Sequence, residues 1–352
     1  DVCSSDLDAV NRYQRAMKVK MVTGKGYFFF IDKVNDANPP MYAEHGLSVK
    51  ASNLCTEITL HSDEFHTFTC VLSSMNLAKY DEWADTDAVQ TAIVFLDCVA
   101  EEFIQQGRGI KGIEKAVRAT EYGRALGLGT LGFHTYLQQN MIDIESFEAY
   151  NINQNMFKVI QKQARGASQW LAKTKGEPKW CKGHGVRNTH LLAVAPNSSS
   201  ALICGSVSQG IEPVYKNVFV QGSPAGEINR INPVLVDLMK SKGVYSDETI
   251  NQIIKDNGSV QLVGWLTDEE KAVFKTSFEI NQEVLVRLAS ARQRYICQAQ
   301  SLNLFFPSDV PEAEISRVHK LAFKDKYIKS LYYLRSEAGV RGSSGECVAC
   351  EG

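Results

Sequence analysis

The chain has 352 residues, 44% of them hydrophobic and 22% charged, which is enough apolar material for a sizeable core and too much for general disorder. Lys and Arg number 38 against 40 Asp and Glu, a net charge of -2, and no basic stretch is long enough to track a phosphate backbone, which argues against nucleic acid as a partner. No apolar run approaches the roughly 20 residues of a membrane span, and the acidic, polar opening Asp1 to Asp8 does not read as a signal peptide.

In chain order, Tyr27 to Ile31 is a short apolar run that predicts a buried strand, closed by the breaker Asn38-Pro39-Pro40. Asn53 to Leu60 mixes polar and apolar residues and predicts a loop entering a strand. Asp87 to Ile104 carries Val89, Ala92, Ile93, Leu96, Ala100, Phe103 and Ile104 at helical spacing and predicts a mostly buried helix, ended by Gly107 to Gly112. Further helices are predicted over Ile113 to Arg124, Phe133 to Gln139 and Asn151 to Lys175. His190 to Pro196 reads as a strand running into a polar turn, and Thr267 to Glu270 as a capping box opening another helix. Pro311 to Arg335 reads as one long helix with Ile315, Val318, Leu331 and Tyr332 on a single side. Beyond Glu337 the composition becomes Gly- and Ser-rich, which divides the chain into a body, 1–336, and a flexible tail, 337–352. Strands alternating with helices place the body in the α/β class.

The nine cysteines, an odd count without a secretory signal, predict a reduced cytoplasmic protein rather than a disulfide framework. Cys181 with His184 and His190 is half a zinc pattern without a second pair, so no metal is expected. Gly127, Gly129 and Gly132 form a G-x-G-x-x-G, but a helix precedes it where a dinucleotide fingerprint needs a strand, and close strand packing explains it better. Cys347 and Cys350 form a C-x-x-C in the tail, a pattern suited to thiol–disulfide exchange.

Asn53, Cys55 and Glu57 fall on alternate residues. In an extended segment they would project an amide, a thiol and a carboxylate to one side. From spacing alone, a surface strand with one buried cysteine gives the same pattern.

The block Ser52-Asn53-Leu54-Cys55-Thr56-Glu57-Ile58 resembles the finger-loop motif of the large subunit of class I ribonucleotide reductases. Other blocks follow in that family's order. Cys70-Val71-Leu72-Ser73-Ser74-Met75-Asn76-Leu77 is similar to its second redox-cysteine segment. Arg187-Asn188-Thr189-His190, Pro196-Asn197-Ser198-Ser199-Ser200 and Gly210-Ile211-Glu212-Pro213 resemble its substrate-phosphate region. Gln300 to Phe305 and the pair Tyr332-Tyr333 are also family-like. The resemblance covers roughly residues 20 to 352. It implies part of a ten-stranded α/β barrel with a central finger loop.

The resemblance also implies roles. Cys55 becomes a thiyl radical that takes the 3′ hydrogen of a ribonucleoside diphosphate. Glu57 takes the 3′-hydroxyl proton, Asn53 and Ser52 hold substrate, and Cys70 supplies reducing equivalents. The turn of Pro196, Asn197, Ser198, Ser199 and Ser200 binds the diphosphate through backbone N–H groups and hydroxyls. Tyr332 and Tyr333 carry the oxidising equivalent from a metal-containing small (beta) subunit, so this chain itself needs no bound cofactor. Cys347 and Cys350 re-reduce the active-site disulfide and are reduced by thioredoxin or glutaredoxin. About ten residues of flexible chain before Cys347 give a root-mean-square reach of roughly 17 Å.

The family's upstream redox cysteine, its regulatory ATP sites and its dimer helices have no counterpart here, and an oligomer is expected. The chain does not open on Met, and Asp1 to Leu7 fits no predicted element, so a fragment or one piece of a split enzyme is expected. The glycyl-radical relatives differ in their C-terminal motif, and a cobalamin-dependent relative fits the tyrosine pair less well. A piece of a split reductase that supplies only binding surface or thiol chemistry is the alternative. The isolated chain is therefore expected to lack reductase activity. Addition of an N-terminal half and a small subunit should restore it, and a deoxynucleotide assay showing robust turnover by the chain alone would refute this.

Overall fold

The computed structural model describes residues 2–223 and 226–336. Its strands are β1 (Phe28–Phe29), β2 (Leu72–Asn76), β3 (Gly127–Leu131), β4 (Val218–Ser223), β5 (Gly226–Ile231), β6 (Leu304–Phe306), β7 (Ser330–Leu331) and β8 (Leu334–Ser336). β2 and β3 pair parallel, Leu72 opposite Gly127 and Asn76 opposite Leu131. On its other edge β3 meets residues 190–194, where Leu126 N–H donates to His190 O and Ala193 N–H to Leu128 O. That segment pairs with 298–301: Val194 N–H donates to Ala299 O and Ser301 N–H to Val194 O. The same strand continues into β6, which lies parallel to β8, and β1 closes the run antiparallel to β7. The result is one curved, mostly parallel run in the order β2, β3, 190–194, 298–306, 330–336.

Glycine is what lets this run close up. A Cβ at Gly127 would sit 2.4 Å from Leu72 Cδ2, and one at Gly129 would sit 2.5 Å from the Ala193 carbonyl oxygen. Gly127 and Gly129 are thus close-packing positions inside a strand, while Gly132, at φ 83°, lies past it at the N-cap of the helix Phe133–Gln139.

Helices cover the outer face. Ala88–Gly107 buries Val89, Ile93, Leu96, Ala100 and Ile104, one residue every three or four, as its periodicity predicts. Phe147–Lys175 begins at Ser146, whose hydroxyl accepts from Ala149 N–H, and packs Met156, Phe157, Ile160 and Leu171 into the same core. Thr267 and Glu270 form the expected capping box. The β4–β5 hairpin and the helices Pro233–Ser241 and Asp247–Lys255 surround a separate smaller core around Leu235, Met239 and Phe274.

Several sequence expectations are corrected. The opening that fits no predicted element is helical from Val2 onward: a helix runs from Val2 to Thr23. The predicted strand at Tyr27 to Ile31 shrinks to Phe28–Phe29, because Ile31 already begins a helix. The long helix over Pro311 to Arg335 stops at Lys324. Asp325 turns the backbone extended, and its carboxylate accepts the N–H groups of Tyr327 and Ile328, so the chain leaves the helix and returns as β7 and β8. Leu331 and Tyr332 therefore lie on extended chain, and their helical spacing is coincidence. The tail, 337–352, with Cys347 and Cys350, lies outside the described residues.

Two glycines give opposite expectations. Gly129→Ala should cost about 1–3 kcal/mol, because its new methyl meets backbone that cannot retreat. Gly166→Ala, mid-helix with nothing within 4 Å of the new methyl, should gain up to about 1 kcal/mol. Urea unfolding of the two variants measures both. Equal stabilities would contradict the close-packing account.

Candidate active site

The loop carrying Cys55 has no strand of its own. Thr56 N–H closes a turn onto Asn53 O, and Thr56 adopts φ 67°, a left-handed conformation that β-branched residues rarely take. Convergence by strand alternation is thus corrected: a strained turn, not a strand, gathers these side chains. The Asn53 amide donates to Glu57 Oε1 at 2.9 Å, while the Asn53 carbonyl oxygen accepts from Ile58 N–H. Ser52 Oγ donates to Ile58 O at 2.8 Å.

The turn is held from beneath by the strand 298–303. Ala299 N–H donates to Glu57 O, and Thr59 N–H donates to the side chain of Gln298. Ser301 Oγ lies 2.6 Å from Cys55 O and 3.2 Å from Glu57 Oε2. Burial pushes the Glu57 carboxyl above its usual range, against the hydrogen bonds from its own backbone, Asn53 and Ser301. A carboxylate so placed is a better proton acceptor than a solvated one.

Tyr332 reaches the thiol. Its hydroxyl is 3.6 Å from Cys55 Sγ, and its ring centroid lies 4.2 Å from that of Tyr333. Burial raises the Tyr332 phenol well above the ordinary tyrosine range, with Cys55 and Tyr333 adding to it, so it stays protonated. The backbone around the pair is fixed: Tyr332 N–H donates to Leu302 O and Tyr333 N–H to Asn303 Oδ1.

Cys70 precedes β2 and is open to solvent on one side. Burial, with the Glu57 carboxylate and Cys55 close by, pushes its thiol up to about 11. Between Glu57 and Cys70, Asp63 pins the chain by accepting from His61 Nε2, His66 Nδ1 and the N–H groups of Phe65 and His66. Burial opposes them, but these hydrogen bonds hold the Asp63 carboxyl well below its usual range. His61, Asp63 and His66 are also the one group among the described residues with ligand atoms close enough to share a metal ion, and this hydrogen bonding accounts for their arrangement.

The serine turn lies past the same strands. Val194 pairs with Gln300, so Pro196 sits one residue, about 3.3 Å of strand, beyond the level of Ser301. Asn197 takes φ 57°, and its amide donates to Ser74 Oγ, Thr130 O and Ala195 O, which ties the turn to the ends of β2 and β3. Ser198 and Ser199 line a cleft of about 370 Å³ whose far wall holds Glu212 and Arg335. Burial lifts the Glu212 carboxyl to about 7, although Arg335 and Asn303 oppose it.

The block Arg187 to His190 has a different role from the one its resemblance implies. Arg187 Nε donates to buried Asp97 at 2.9 Å, and its Nη1 donates to the carbonyls of Lys175 and Gly176. Asn188 donates to Asp97 and to Arg124 O. The guanidinium is committed to the wall, not to a phosphate.

Sequence reasoning gave Ser301, Asn303 and Gln298 no individual role. Their signal was present: polar residues at 298, 300, 301 and 303 interrupt a strand that should be apolar. Tyr27, packed on both tyrosines, carried no such signal.

The model of the family "Ribonucleotide reductase, barrel domain" matches residues 3–183 and 179–334, and the chain belongs to that family. A large-subunit relative from Frog virus 3 (isolate Goorha) is 40% identical over 97% of this chain and 62% of its own length. The ribonucleoside-diphosphate reductase large subunit of Invertebrate iridescent virus 3 is 38% identical over 94% of this chain and 52% of its own. The solved Actinobacillus ureae class Id ribonucleotide reductase alpha subunit superposes with a TM-score of 0.88 at 40% identity, covering 95% of this chain and 63% of that one. The chain thus spans between half and two thirds of these relatives, and the parallel run of strands is part of the family's barrel.

The raised Glu57 carboxyl makes a pH prediction. With a folded pKa above the usual 4.5, the folded state holds the extra proton, so stability falls as pH climbs from that value through the raised one. Glu57→Gln should abolish this decline. Ser301→Ala, which removes a donor to the ionised form, should carry it to higher pH. A pH series of urea melts reads the three slopes, and identical slopes would overturn the assignment.

Proposed function

We propose that this chain is the catalytic part of a ribonucleoside-diphosphate reductase large subunit, acting by a cysteine thiyl radical. The observation that carries the proposal is the continuous line from Tyr333 through Tyr332 to Cys55, ending beside Glu57 and Asn53.

In this reading a metal-containing small subunit oxidises Tyr333, and the oxidation passes to Tyr332. The Tyr332 phenoxyl takes the hydrogen atom from the Cys55 thiol, forming the phenol O–H bond and leaving a thiyl. The thiyl takes the 3′ hydrogen of the ribose, forming S–H and a carbon radical. Glu57 accepts the 3′-hydroxyl proton while Asn53 orients the hydroxyls. The 2′-hydroxyl leaves as water with a proton from a cysteine pair of which Cys70 is one member. That pair supplies two electrons and two hydrogens and ends as a disulfide. The 3′ hydrogen then returns from Cys55, restoring the thiyl and, by the reverse path, the tyrosine radical.

The diphosphate would lie against the turn from Pro196 to Ser200, where the first N–H groups of the helix Ser198–Ile203 lack helical partners. Cys347 and Cys350 would reduce the disulfide and pass the electrons on to thioredoxin or glutaredoxin. The rest of a large subunit would supply the second cysteine and the regulatory sites. The proposed setting is an oligomer in the cytoplasm.

In the assembled enzyme, Cys55→Ser and Tyr332→Phe should each abolish deoxynucleotide formation while nucleotide binding persists. Glu57→Gln should slow it by about 10²–10⁴-fold, the usual worth of a positioned base. Replacing Cys347 and Cys350 together by Ser should leave a single turnover intact and stop repeated turnover with thioredoxin. A normal rate in Cys55→Ser would leave only the binding-surface alternative.

A further inference from the structure

Lys20 is fully buried, at 0% exposure, on the last turns of the helix Val2–Thr23. Long cationic side chains seldom sit there without a purpose for the head group. Its Nζ donates to two backbone carbonyls: Tyr332 O at 2.5 Å and Gly26 O at 3.3 Å. No carboxylate shares the site among the described contacts of Lys20. The helix end grips the same strand a second time, since Leu334 N–H donates to Gly24 O at 2.9 Å. Gly24 has φ 68°, and a Cβ there would sit 2.9 Å from the Leu334 oxygen, so the approach is backbone on backbone.

Just beyond, Tyr27 packs its ring against both tyrosines, with centroids 4.5 Å from Tyr332 and 5.1 Å from Tyr333. Tyr332 is thus fixed at three points: its N–H by Leu302 O, its carbonyl by Lys20 and its ring by Tyr27.

We propose that Lys20 and Tyr27 are positioning residues for radical transfer, forming a cradle that sets the distance and angle between the Tyr332 hydroxyl and Cys55 Sγ. Both act through the backbone and ring of Tyr332, and neither exchanges an electron or hydrogen. The inference rests on the relay reading above. Hydrogen-atom transfer is steep in donor–acceptor distance, and an ångström of drift in the Tyr332 backbone carries the hydroxyl away from sulfur. Displacement of that size costs ten- to hundredfold in rate. Burial lowers the Lys20 ammonium to about 7, so a neutral donor of similar length can serve the carbonyl.

The test uses the complete large subunit with its small subunit. Lys20→Met keeps volume and removes the donor, and Lys20→Gln keeps a neutral donor. Lys20→Met should lower kcat ten- to hundredfold with KM for the nucleoside diphosphate unchanged, and Lys20→Gln should recover part of the loss. With 3′-deuterated substrate, the isotope effect on kcat should shrink toward one in Lys20→Met, because the slow step then precedes C–H cleavage. If Lys20→Met does not fold, Tyr27→Leu takes its place with the same expected kcat loss and isotope effect. Normal kcat in the variant tested, an undiminished isotope effect, or Lys20→Gln no better than Lys20→Met overturns the proposal. Tyr332→Phe is measured alongside. If it is inactive while Lys20→Met is normal, the relay stands and the cradle alone falls; if it is active, both fall.

Discussion

The thiol of Cys55 is only as well placed as the strand 298–303 beneath it. The turn 53–57 makes few hydrogen bonds of its own and holds Thr56 in a left-handed conformation, a strain of about 1–3 kcal/mol. Against this stand the bond from Ala299 N–H to Glu57 O, the bond that Gln298 Oε1 accepts from Thr59 N–H, and the Ser301 hydroxyl shared between Cys55 O and Glu57. Hydrogen bonds of this kind contribute about 1 kcal/mol each, more where one partner is charged. Their sum offsets the strain. The strand in turn depends on Val194 and, through it, on the glycine-tight contact with β3.

That dependence makes the inner wall polar where a barrel strand would ordinarily be apolar. Gln298, Gln300, Ser301 and Asn303 are all buried, and each is hydrogen-bonded across to another element. On the outer side, Asp97 gathers Arg187, Arg124 and Asn188 into a buried cluster that braces the start of the neighbouring strand. Removing one member of such a cluster leaves an uncompensated charge, which is why its parts act as a unit. Lys329 works similarly, donating to the carbonyls of Cys297 and Gln298.

How much of this was legible in the sequence follows the range of the interactions. The helices 88–107, 114–123 and 133–139 were readable because their apolar spacing is local, and the capping box at Thr267 because it spans four residues. The end of the helix at Lys324 was missed because one carboxylate, Asp325, overrides a periodicity that continues by chance through Tyr332. The residues of the site were legible as types, yet their geometry was not. Asn53 and Glu57 meet through a turn whose key residue, Thr56, has no propensity for its conformation. Ser301 lies 246 positions from the backbone oxygen it bonds, and Lys20 lies 312 from Tyr332. No local pattern announces such pairs; only the closure of the barrel brings them together.

The high thiol pKa of Cys70 bears on the chemical durability of the protein. At about 11, only a few molecules in ten thousand carry the thiolate near neutral pH, and the thiolate is the form that peroxides and stray disulfides attack. A sulfur open to solvent on one side therefore resists casual oxidation to sulfenic acid without being walled off. Burial, helped by the neighbouring Glu57 carboxylate, keeps its hydrogen in reserve between encounters.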